Sequence, residues 1–282
     1  MELLVLTDIH NNWIHLEEMI SIAGKLDGVV FLGDLLIHGS DREDNSKSYA
    51  NFLRINDAAK FTIGVPGNSA SAEVIRFMDE TEFNLHGKSH IINDIGFFGV
   101  GGTCDSVNLI LELRAFFRSE IRPAIELHEK ALETLSVFGV TIRDDVFVVE
   151  DWSETQVKEL ERFRGPFDHT EKEIRDLLIQ GLQSIANCST KVLLSHIPPY
   201  EPVLNPKFPE GVSTGSKGIA SFIKEYKPSI VLSGHYHISH DFEIDSVPCF
   251  VLPAVTDGFY SLMTINQSAK DFKVNVNNFD IP

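Results

Sequence analysis

The sequence predicts an α/β fold, a mostly parallel sheet followed by a closing set of antiparallel strands. Three observations carry that prediction. Short apolar runs alternate with amphipathic helical stretches as far as Met78, which is the βαβ pattern of a parallel sheet. After Pro228 the chain changes to short alternating segments, the habit of antiparallel strands. Several of the apolar runs end on Asp, Asn or His, at the strand C-termini where open α/β sheets place their ligands.

The first strand is the run Leu3–Leu6, ending in Thr7-Asp8-Ile9-His10. On an extended strand Asp8 and His10 leave on the same face. A helix follows, opened by Asn11-Asn12, with Ile14, Leu16, Met19, Ile20 and Ala23 as its apolar stripe and Gly24 as its end. Gly28–Leu32 is the second strand, running into Gly33-Asp34. A loop through Asp41–Asp44 leads to a helix from Ser48 to Ala59. Phe61–Val65 is the third strand, ending in Pro66-Gly67-Asn68, and a helix from Ser69 to Met78 comes next. Ser89–Ile92 and Gly96–Val100 form a hairpin around Asn93-Asp94.

Residues 104–186 read as a helical lobe inserted in a single domain spanning 1–282. Pro123, Gly139 and Gly165-Pro166 divide the lobe, and Val146–Val149 is either a short strand or a break. His128 and His169 read there as surface or packing residues. The core resumes at Lys191–Ser195, which ends in His196. A helix over Ser216–Tyr226 precedes the strand Ile230–Leu232, which ends in Ser233-Gly234-His235-Tyr236-His237. Four alternating segments complete the chain.

Composition limits the function. The formal net charge is −17, from 41 acids against 24 Lys and Arg. That disfavours a long nucleic acid as partner, since phosphate backbones need a basic face. Three scattered cysteines without a CxxC suggest neither a disulfide framework nor a zinc ribbon. With no apolar run long enough for a bilayer and no basic leader, the expectation is a cytoplasmic protein with no membrane association. Gly99, Gly101 and Gly102 do not make a dinucleotide fingerprint. They read as close backbone passage beside a site.

Five strand ends therefore carry polar residues: Asp8 and His10, Asp34, Asn68, His196, and His235 with His237. Mixed N/O donors without cysteine suit borderline divalent metals better than a structural zinc site. Asn68 has a second reading as the cap of the helix that follows it.

This ordered set resembles the calcineurin-like metallophosphoesterase superfamily, whose pattern runs DxH, GD, GNH[D/E], H, GHxH. Here it stands as Asp8-Ile9-His10, Gly33-Asp34, Gly67-Asn68-Ser69-Ala70, His196 and Gly234-His235-Tyr236-His237. The resemblance covers roughly residues 1–102 and 188–265 and implies a four-layer αββα sandwich, two mixed β-sheets flanked by helices. It implies two divalent metal ions (Mn, Fe, Zn or Ni), one held by Asp8, His10 and His237, the other by Asn68, His196 and His235, with Asp34 bridging. The implied activity is hydrolysis of a small phosphomonoester or phosphodiester by a hydroxide between the two ions. The alternative is a weakly catalytic member acting as an interaction scaffold.

The departure is at Ser69-Ala70, where many members carry a histidine and an acid. Serine is a poor acid at neutral pH. His38 is the candidate replacement, beside Asp34 and Asn68 as catalytic residues. Asn11, Ser69, Tyr200 and Ser216 are candidates for binding substrate. Tyr200 and Tyr236 offer rings for stacking, and Ser216 offers the start of a helix with free N–H groups. The lobe is expected to lid the cleft or to form a homo-oligomer contact.

Overall fold

The computed structural model describes the chain except residues 38, 105–109, 111–113, 115–138, 144–145, 154–166, 202–214, 268–270 and 280–282. In the N-terminal half the strands are β1 (Glu2–Leu6), β2 (Gly28–Phe31), β3 (Thr62–Gly64), β4 (Ser89–Ile92), β5 (Ile95–Val100) and β6 (Thr103–Cys104). Then come β7 (Val140–Arg143), β8 (Val146–Val149), β9 (Asp168–His169), β10 (Thr190–Ser195) and β11 (Ile230–Ser233). The last four are β12 (His240–Ile244), β13 (Val247–Val251), β14 (Phe259–Asn266) and β15 (Asp271–Asn278).

They build two large mixed sheets, in the orders β15-β14-β1-β2-β3 and β12-β13-β11-β10-β5-β4. β1, β2 and β3 are parallel to one another, as are β5, β10, β11 and β13. The antiparallel strands lie at the sheet edges, β4 and β12 in one sheet and the β14-β15 ribbon in the other. Asn93-Asp94 and Asp245-Ser246 turn two of the hairpins with positive φ at both residues, as the twist of a tight hairpin requires.

Period-two alternation divides each strand between two cores. Leu3 and Val5 of β1 join Val30, Val192, Leu194 and Leu232 between the sheets. Leu4 and Leu6 face the other way, onto Met19, Phe52, Val74 and Met78. Those belong to helices α1 (Leu16–Ala23), α2 (Arg42–Ala58) and α3 (Ala72–Glu80). On the far side, Phe98, Leu193 and Val231 pack on Ile174 and Leu178 of α4 (Glu171–Gln183) and on Ile219 and Phe222 of α5 (Lys217–Tyr226). The layers run helix, sheet, sheet, helix, as expected from the ligand motifs.

Several boundaries differ from the sequence reading. α2 starts at Arg42 instead of Ser48 because Asp41 caps it, accepting the N–H groups of Glu43 and Asp44 at 2.9 Å each. The acids read as loop are its first turn, where they complement the helix dipole. α1 starts only at Leu16, so Ile14 is 64% exposed rather than part of a buried stripe. Most of the expected lobe and its oligomer contact lie outside the described residues, as does His128. Within 104–186, β7 and β8 pair antiparallel, and α4 is a core helix of the sandwich.

Candidate metal centre

The C-terminal ends of β1, β2, β3, β10 and β11 bring the polar strand ends together. The loops do this in a left-handed backbone conformation: φ is +53° at Asp8, +47° at His10, +59° at Asn11, +54° at Asp34, +71° at His235 and +56° at His237. These six make up half of the positive-φ non-glycine positions among the described residues. The expectation that Asp8 and His10 share a face by strand alternation is thus corrected, since β1 ends at Leu6 and a coiled loop turns both side chains inward. Such backbone costs energy and persists where surrounding bonds over-determine it. Here Asp8, His10 and Asn11 donate their N–H groups to the carbonyls of Gly33, Asp34 and Leu35.

Two motif glycines make the approach possible. A Cβ on Gly67 would lie 1.8 Å from Asp34 Oδ1, and one on Gly234 would lie 2.0 Å from Thr7 Oγ1. A side chain at either position would drive the ligand loops apart.

Asp8 and Asp34 are buried at the centre, and the imidazoles surround them. His237 Nε2 is 3.4 Å and His10 Nε2 3.6 Å from Asp8 Oδ1. His10 Nε2 is also 3.7 Å from Asp34 Oδ2, and His196 Nε2 is 3.6 Å from that same oxygen. Asp34 therefore lies between the two groups of donors. His196 Nε2 meets Asn68 Oδ1 at 2.8 Å. Ser71, not Asn68, caps α3, which leaves the Asn68 amide to the centre. The His235 ring stands 5.0 Å from that of His196, and its backbone N–H donates to Asp8 Oδ2 at 2.9 Å.

Each of three imidazoles is aimed by its other nitrogen. His196 Nδ1–H donates to the Leu32 carbonyl at 2.7 Å, His10 Nδ1–H to the Leu36 carbonyl at 3.4 Å, and His237 Nδ1–H to Asp257 Oδ2 at 3.2 Å. When neutral, His10 and His237 present the Nε2 lone pair to the carboxylates, whereas protonated His196 donates its Nε2–H to Asn68 Oδ1. Holding a ligating histidine by its far nitrogen is the usual support of a metal site.

The donors fit a cation. Asp8 Oδ1 is buried with no hydrogen-bond partner. An orphaned carboxylate oxygen facing imidazole lone pairs is costly unless positive charge joins them. Two clusters have the spacing to share an ion, Asp8-His10-His237 and Asp8-Asp34-His196. Without metal, protons do part of that work. Burial alone would lower His196, but Asp34 and Asp8 outweigh it and push the ring up to about 9. Burial likewise would raise Asp8, yet His10, His237 and His196 hold it well below the ordinary carboxylate range.

Of the other expected site residues, Ser69 and Asn11 stay beside the centre, Asn11 directly after His10 with its Oδ1 accepting from Ser48, and the rest go elsewhere. The Ser69 N–H and hydroxyl both donate to Asp34, at 2.9 and 3.1 Å, so it braces the central carboxylate. Ser216 caps α5, and the start of that helix is not open to an anion. The Glu171 carboxylate already accepts from the Ser216 hydroxyl and from the N–H groups of Lys217 and Gly218. Tyr200 packs against the outer core with Lys217 Nζ over its ring, and Tyr236 is buried beside Val251. Asn12 ties its amide to the Thr256 carbonyl at 3.2 Å. His38 lies outside the described residues. Sequence reasoning missed Asp257, since an acid before a glycine in a late turn carries no signal of a partner 20 residues earlier.

Two stacked mixed sheets with carboxylate and imidazole donors at their shared strand edge define the class, an α/β scaffold with a candidate metal centre. The sequence model of the calcineurin-like phosphoesterases matches residues 1–239, and the chain belongs to that family. No curated protein matches it in sequence. Among solved structures it is similar to the protein TT1561 of Thermus thermophilus, with a TM-score of 0.62 at 18% identity, covering 98% of both chains. It is also similar to a Staphylococcus aureus protein assigned as a 5′-nucleotidase and solved with alpha-ketoglutarate, with a TM-score of 0.51 at 10% identity. That match covers all of this chain and 55% of the other. Both likenesses are of fold.

Proposed function

We propose that this phosphoesterase hydrolyses small phosphate esters at a centre for two divalent ions. Asp8, His10 and His237 would hold one ion, and Asn68, His196 and His235 the other, with Asp34 between. The observation that carries the reading is the buried, unpartnered Asp8 Oδ1 facing His10 and His237. Ions held there would supply a nucleophile at neutral pH and would neutralise charge on the phosphoryl oxygens. The chain's own residues position that chemistry. The Leu32 and Leu36 carbonyls and Asp257 aim the imidazoles, and Ser69 holds Asp34 at both oxygens. With the Ser69 hydroxyl committed to Asp34, position 69 donates no proton to a leaving group. This favours esters whose alcohols leave without an acid, and Mn or a similar borderline metal fits the mixed donors.

The test is hydrolysis of p-nitrophenyl phosphate and bis-p-nitrophenyl phosphate by chelator-stripped protein, before and after Mn(II), Ni(II) or Zn(II) is restored. Activity that returns with metal supports the proposal, and the ratio of rates separates monoester from diester chemistry. Absence of metal binding would refute it.

A further inference from the structure

Beside His10 lies an open pocket of about 400 Å³, lined by Asn11, Trp13, Ile37, Ser40, Lys47 and Asn51 among others. Two of its wall residues are chain neighbours of residues at the metal centre. Asn11 follows His10 directly, and Ile37 follows Leu36, whose carbonyl accepts from His10 Nδ1–H. The volume is within the range of small-ligand sites.

A buried relay sets the Asn11 amide. The Trp13 indole N–H donates to Ser48 Oγ at 2.9 Å, and Ser48, 1% exposed, lies 2.9 Å from Asn11 Oδ1. An indole nitrogen only donates, so the serine hydroxyl passes its own proton onward to Asn11 Oδ1. The direction of the relay fixes the amide orientation, with the carbonyl spent on Ser48 and the NH₂ group not. The left-handed backbone at Asn11 holds this side chain next to a metal ligand.

The remaining walls indicate what the pocket accepts. Ile37, 52% exposed, offers an apolar wall, and Trp13 adds an aromatic surface. Lys47 pairs with Glu43 at 2.8 Å, and Asp44 adds a negative charge to the lining. The pocket therefore does not seek a second anion. Its chemistry suits a flat, neutral group with a polar rim.

We propose that this pocket receives the organic part of the ester, an aromatic or heteroaromatic ring. Asn11, oriented by Ser48 and Trp13, donates to a phosphoryl oxygen. The inference rests on the metal-centre reading above. Calorimetry on Mn(II)-loaded protein tests it with phenylphosphonate and methylphosphonate, which share the headgroup and differ in the ring. The wild type should bind phenylphosphonate about tenfold tighter. Asn51→Trp, a helix-surface change that fills the pocket, and Trp13→Ala should each cut that advantage to about twofold or less. Ser48→Ala should weaken both phosphonates, methylphosphonate included, since it frees the amide that meets the shared headgroup. Mn(II) binding should stay unchanged in Asn51→Trp. Equal affinities in the wild type, or an advantage that survives Asn51→Trp, would overturn the pocket alone. Failure of Mn(II) to bind the wild type would overturn the metal centre and this proposal with it.

Discussion

His196 and His86 are both largely buried imidazoles, and the protein moves them in opposite directions. At the metal centre, Asp34 and Asp8 overcome the burial of His196 and raise it to about 9. At the junction of β5 and β9, burial lowers His86 to about 4, with His169 and Lys88 adding to the effect and Asp79 opposing it. His86 Nδ1 accepts the Gly101 N–H at 3.1 Å, and its ring meets those of His169 and Phe167, with centroids 5.0 and 6.0 Å away. Neither of these partners is a carboxylate. Burial is common to the two regions, so the neighbouring charge decides the direction. A buried histidine in this protein marks a cation site only where carboxylates surround it.

Removing the carboxylate should break the contrast most severely. Asp34→Asn is expected to lower metal-dependent hydrolysis by about 10³-fold and to abolish uptake of the second ion. In the metal-free variant the His196 titration, followed by NMR, should move down toward that of His86. A His196 that still titrates near 9 would show that Asp34 is not its partner.

Asp257 sharpens the comparison from outside the donor set. Asp257→Asn leaves every ligand in place and removes charge behind His237. Metal affinity, measured by calorimetry, should fall about 10- to 100-fold.

On the proposed ligand set, metal displaces the proton that holds the His196 ring charged up to about pH 9. Apparent Mn(II) affinity should therefore rise about tenfold per pH unit up to that value for one displaced proton, and then level off. The same shift makes the metal-free protein pH-sensitive. A raised histidine contributes stability that is complete below its unfolded value of about 6.5 and is lost as pH rises through about 9. Melting temperature in chelator should fall across that window, and saturating Mn(II) should flatten the fall.

The His86 region should show the opposite sign. A lowered histidine favours the fold above about pH 6.5, and that contribution is lost as pH falls through about 4. The full shift is worth on the order of 3 kcal/mol. His86→Asn, which can still accept the Gly101 N–H, should melt with less dependence on pH between 6.5 and 4.

Elements with strong local periodicity were readable without coordinates. β1, β2 and β10 are apolar runs with one reading, and Asn93-Asp94 marks its hairpin. Boundaries set by side-chain capping were harder to read. Asp41 looks like loop until its carboxylate is seen to hold two amides, and Ser71 competes with Asn68 for the same helix. At α5, residues 216–218 present a sound anion site in one dimension, and Glu171, 45 positions away, fills it in three.

The sequence by itself determined the kinds of donor, their order and their place at strand ends, because hydrophobic runs and motif spacing are local properties of the chain. Only the tertiary structure decided which nitrogen of each histidine faces the carboxylates and that Asp257 stands behind His237. It also decided that Asp8 Oδ1 is left without a partner and that Trp13 and Ser48 orient Asn11. Those outcomes depend on bond direction and on contacts between residues far apart in the chain, which composition and spacing do not encode.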